Sequence, residues 1–93
     1  VRALVREGDA VVGVKAERDG RTIEIRASRG VVLAAGGFPH DVARKAELFA
    51  HAPSGREHWS AAPEGNSGDG LRLGESAGGT VGTNLVAPGA WAP

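Results

Sequence analysis

The stretch Gly30-Val31-Val32-Leu33-Ala34-Ala35-Gly36-Gly37-Phe38 limits most sharply what this chain can become. Three branched apolar residues are followed by two alanines and two glycines, with no polar alternation. A run of that kind reads as a strand buried on both faces, as in a parallel sheet covered by helices. Its side chains shrink toward the carboxyl end. Small residues there let another backbone or a ligand approach closely, and ligands of open α/β sheets sit just outside the carboxyl ends of strands. The expectation is a buried parallel strand that ends against a neighbour.

Residues 1–29 read as an antiparallel meander feeding that strand. Arg2 to Arg6 is strand-like, and Glu7-Gly8-Asp9 is a turn signal. Ala10 to Ala16 is a second, β-branched strand. Arg18-Asp19-Gly20-Arg21 places Asp-Gly between two strand-like runs, a strong hairpin signal. Thr22 to Ala27 alternates with period two, setting Ile23 and Ile25 on one face and Glu24 and Arg26 on the other. This region carries no chemistry of its own.

Beyond Phe38 the pattern changes. Pro39, with His40 or Asp41 as the cap region, opens a helix over Asp41 to Ala50, with Val42, Ala46 and Phe49 at helical spacing. His51 to Asn66, rich in Pro, Ser, Gly and charge, reads as a long loop, a length usually tied to function or mobility. Ser67 to Ala77 reads as a second short helix with Ser67 as N-cap and Gly78-Gly79 as its stop. Thr80 to Val86 reads as a short strand and Ala87 to Pro93 as irregular. The units expected are therefore 1–29, 30–50, 51–66 and 67–93.

Composition narrows the function classes. The chain has 93 residues, begins with Val1 and contains no Met, so it reads as an internal piece of a larger protein. It has no cysteine, which excludes disulfides and thiolate metal sites. Its 11 basic and 11 acidic residues cancel, giving no electrostatic case for a nucleic acid or membrane partner. The longest apolar run is too short to span a bilayer, and a cytoplasmic location is expected. The 15 glycines point to tight turns and close backbone approaches.

Glu64-Gly65-Asn66-Ser67-Gly68-Asp69-Gly70 opens the second helix. Its free N–H groups and bare glycines suit an anion or the polar edge of a cofactor. On the residues alone they suit better a tight turn into a capped helix, with Asp69 complementing the dipole, since such caps are common. The spacing Gly-x-x-Gly-x-Gly is neither a phosphate loop nor a dinucleotide fingerprint. His40, His51 and His58 match no metal-ligand spacing and read as loop or cap residues. Trp59 and Trp91 read as fillers of local apolar gaps. No residue is assigned a catalytic or metal-binding role.

In chain order, Val11-Val12-Gly13-Val14, the hairpin, Ala27 to Phe38, Pro63-Glu64-Gly65-Asn66-Ser67-Gly68-Asp69-Gly70-Leu71 and Gly74 to Gly78 form a set. That set resembles the FAD-binding domain of the fumarate reductase/succinate dehydrogenase flavoprotein family. The similar branch is that of soluble FAD-dependent dehydrogenases related to ketosteroid dehydrogenases and flavocytochrome fumarate reductases. The resemblance implies a fragment of a Rossmann-like α/β domain with FAD as cofactor. It implies that Ala34, Ala35, Gly36 and Gly37 end a strand beside FAD, with Ala35 where Thr is common. It implies that Asn66, Ser67, Gly68, Asp69 and Gly70 lie near the flavin ring, with Ser67 keeping the hydroxyl of a common Thr. Trp91-Ala92-Pro93 would lie on the way to the family's mobile capping domain. That family's Gly-x-Gly-x-x-Gly unit, its acidic ribose ligand and its catalytic Arg or Tyr are not in this chain. The implied parent is an oxidoreductase acting on a small molecule at a carbon–carbon bond next to a carbonyl or carboxylate. A non-catalytic α/β module and a module for another nucleotide are the alternatives.

Overall fold

The computed structural model of this chain describes residues 1–85 and 89. In chain order its elements are strands β1 (Ala3–Glu7), β2 (Ala10–Arg18) and β3 (Arg21–Arg26), then helices α1 (Val42–Leu48) and α2 (Asp69–Ser76). The strands form one antiparallel sheet in the order β1-β2-β3, the meander expected from the sequence. Asp19 and Gly20 take positive φ values of 52° and 74°, as the tight turn of a two-residue hairpin requires, and Arg18 pairs with Arg21 across it. Between β1 and β2 the register shifts, with Val5 opposite Gly13 and Arg6 opposite Val11. Val12 is the extra residue of this bulge. Gly13 lets β3 close on β2, because a Cβ there would stand 2.4 Å from the Ile25 carbonyl oxygen.

The apolar run does not join this sheet. Residues 30–38 form no strand, and residues 32–37 are exposed, Val32 to 90%. The expectation of a buried strand is corrected for a physical reason. A strand is completed by ladder partners and covering layers, and residues 31–36 make no backbone hydrogen bond to any described residue. The run has the composition of a buried strand without the neighbours of one.

Both helices form, each shorter than its sequence pattern. Asp41 caps α1, its carboxylate accepting the Arg44 N–H at 3.0 Å. Phe49 leaves the helix at φ −100° and ψ 103°. Its ring then meets Phe38 at 5.9 Å and stacks on His51 at 5.9 Å, and His51 meets His58 edge-on at 5.0 Å. This cluster folds the irregular 51–66 segment back on Phe38. The cap of α2 is Gly68, not Ser67. Gly68 sits at φ 81° with no side-chain cap, a left-handed conformation that glycine adopts at least cost. The chain therefore turns one residue later than the serine. Residues 80–85 form no strand. The rest of that expected strand and the irregular end, Gly89 apart, lie outside the described residues.

Little is buried. Among the described residues, Ala52 and Leu73 are the buried apolar side chains, and Lys45 is buried too, its ammonium donating to the His58 carbonyl at 3.5 Å. Trp59 fills no gap, being 88% exposed. The radius of gyration is 15.3 Å, against about 12 Å for a compact domain of this length. Helix α2 packs against β1.

Candidate functional site

The two glycine segments, distant in sequence, meet in space. The Gly68 N–H donates to the Gly37 carbonyl at 3.2 Å, and the His40 N–H donates to the Asn66 carbonyl at 3.2 Å. A Cβ on Gly70 would lie 3.9 Å from the Ala35 methyl. The residues that the resemblance sets beside the cofactor thus lie on two facing segments, Ala34–Gly37 and Asn66–Gly70.

Gly36 shows how tightly the turns fit. Its φ is 77°, and a Cβ there would stand 2.7 Å from the Asn66 side-chain oxygen. The missing side chain therefore seats Asn66. Gly37 differs, since among the described residues a Cβ there would meet only the Pro39 ring, at 3.7 Å. Ala34, Ala35, Gly36 and Gly37 all remain exposed, so one face of this small-residue segment is open to a ligand. At α2 no side chain caps the helix, so its first-turn N–H groups stay available to an outside acceptor. These features fit a flat group that approaches backbone closely.

Charged side chains surround the α2 turn. The Arg72 guanidinium donates to the Ser67 carbonyl at 2.7 Å and also bonds the Asp69 carboxylate. It lies 3.8 Å from the Asp41 carboxylate. Arg44 grips Glu75 through two hydrogen bonds, at 3.1 and 2.8 Å. That hydrogen bond holds the Glu75 carboxyl below its ordinary range and raises the Arg44 guanidinium. In the long loop, the backbone N–H groups of Ser54 and Arg56 donate to Glu57 at 2.8 and 2.9 Å, lowering its carboxyl to about 2, chiefly through Ser54. His40 Nε2 donates to the Ala62 carbonyl at 2.8 Å. Among the described residues, no three His, Asp or Glu side chains converge as metal ligands, and no helix is long and apolar enough to cross a membrane.

The roles of Arg72, Arg44 and Glu75 escaped the sequence reading, and Asp41 was read only as a cap. The short-range signal was the spacing of Asp41 to Arg44 and of Asp69 to Arg72, each one helical turn.

A groove of about 430 Å³ runs along α2 beside Phe38, Leu48, Leu71, Gly74, Val81 and Leu85. Of the residues singled out in the sequence, it borders Gly70 alone.

Comparison with known proteins bears on what these turns serve. Residues 1–93 match the family described as FAD binding domain. A curated relative, 4-oxocyclohex-2-ene-1-carboxylate 5-dehydrogenase of Sinomonas cyclohexanicum, is 30% identical over 93 residues, covering 100% of this chain. The chain spans 16% of that relative's length. No solved structure matches. The chain belongs to the FAD-binding domain family, whose cofactor is FAD.

Proposed function

We propose that this chain contributes a wall of the FAD site in an FAD-dependent oxidoreductase. The observation that carries the reading is the hydrogen-bonded meeting of the Ala34–Gly37 and Asn66–Gly70 turns, in a chain that matches an FAD-binding family throughout. FAD, when bound, supplies the hydride chemistry. The chain's residues bind and orient it. Ala34, Ala35 and Gly37 give a surface without bulk, on which an aromatic ring system can lie against backbone. Gly36 seats Asn66 and thereby fixes the second turn. The Ser67 hydroxyl and the uncapped N–H groups of Asp69 and Gly70 offer polar contacts to the cofactor's edge.

In this reading residues 30–38 belong to a Rossmann-like domain, and the backbone of residues 31–36, which bonds no described residue, is open to a further strand. The proposed substrate is a small molecule whose carbon–carbon bond lies next to a carbonyl or carboxylate. The relative's name supports this class, since it places dehydrogenation at position 5, adjacent to an oxo group at position 4. Catalytic groups are assigned to no residue of this chain.

The test is the visible spectrum of the full-length protein that carries this chain. Purified protein should show flavin absorbance, or regain it when FAD is added. A colourless protein that FAD does not restore would favour a purely structural α/β module.

A further inference from the structure

We propose that Asp41 and Arg72 are positioning residues that clamp the Asn66–Gly70 segment onto the Gly37–Phe38 backbone and so set how tightly the wall grips its cofactor; the inference rests on the FAD reading above. The backbone bonds at this junction, from Gly68 to Gly37 and from His40 to Asn66, are 3.2 Å each, at the upper end of the ordinary range. Asp41 braces the junction from one side. Its N–H donates to the Phe38 carbonyl at 3.0 Å, and its carboxylate lies 3.1 Å from where a Cβ on Gly68 would stand. Arg72 braces it from the other side, by gripping Ser67 and Asp69 within the turn. The contact between them, 3.8 Å, closes the chain from Phe38 through Asp41 and Arg72 to Ser67.

Two features separate this clamp from general helix packing. The Asp41 side chain is 18% exposed and the Arg72 side chain 53%, so one partner of the pair is partly shielded from solvent. A single planar guanidinium serves Ser67, Asp69 and Asp41 together, which a point charge cannot do. The Arg44–Glu75 pair also ties α1 to α2, and Arg44 reaches the Asp41 carboxylate at 3.7 Å from its other side. Glu75 bonds Arg44 and touches neither Asp41 nor the glycine segments, so Glu75 alone serves as the control.

The experiment compares Asp41→Asn, Arg72→Gln and Glu75→Gln in the full-length protein. Asparagine keeps the helix cap and removes the charge. Amide hydrogen exchange at Gly68 and His40 is read without FAD, and FAD affinity is read by titration. The first two variants should speed exchange at both amides and weaken FAD binding by about threefold to tenfold. The double variant should be no worse than the weaker-binding single, because one network is lost once. Glu75→Gln should lower the unfolding temperature while leaving both readouts unchanged. Unaltered exchange in Asp41→Asn and Arg72→Gln overturns the clamp whether or not FAD binds. Faster exchange with unaltered FAD affinity overturns its link to the cofactor. Wild-type protein that takes up no FAD overturns the cofactor reading and the grip with it, an outcome told apart because exchange is read without FAD.

Discussion

Gly36 carries two demands at once. Its φ of 77° is a conformation that a side chain destabilises by about 1–2 kcal/mol, and the Asn66 amide occupies the place of its Cβ. Gly36→Ala should therefore cost roughly 1–3 kcal/mol in thermal or denaturant unfolding. Asn66→Ala in the same chain should restore the part due to the clash and leave the backbone part. Gly13 poses a simpler case, because the Ile25 carbonyl oxygen would lie 2.4 Å from an added Cβ. Gly13→Ala should loosen β3 from β2, seen as faster amide exchange in β3 while α1 and α2 keep their protection.

The elements were legible in proportion to how local their causes are. The Asp19-Gly20 turn, the alternation of Ile23 and Ile25 and the Asp41 cap each depend on neighbours a few residues apart, and each forms. The cap of α2 moved from Ser67 to Gly68, because the turn's left-handed backbone outweighs a hydroxyl acceptor. The Arg44–Glu75 pair joins residues 31 apart, a distance at which no periodicity operates. The long loop should carry a pH dependence at this scale. The Glu57 carboxyl is lowered from 4.5 to about 2 by the N–H groups it accepts. A lowered folded value means that its contribution is complete above about 4.5 and is lost as pH falls toward 2. The Ser54 and Arg56 amides should thus lose exchange protection over that window, and Glu57→Gln should remove the dependence.

Across the whole molecule, apolar pattern and actual burial part company. Val31 to Leu33 have the character of a strand interior, yet Val32 is 90% exposed and Leu33 38%. Periodicity reports what a side chain suits, not whether a neighbour is there to cover it. The meeting of the two glycine turns was legible only through the order of motifs in the chain. Its backbone bonds connect segments that no local rule pairs. The central claim is that the exposed face of these turns is a cofactor wall, and Gly37 tests it most directly. Among the described residues a Cβ there meets only the Pro39 ring, at 3.7 Å, so Gly37→Val places bulk on the open face while sparing the Asn66 seat. FAD titration of the full-length protein should show wild type binding FAD and Gly37→Val losing at least about tenfold in affinity, or ~1.4 kcal/mol, with little change in unfolding temperature. Gly37→Val binding FAD as tightly as wild type would contradict the account.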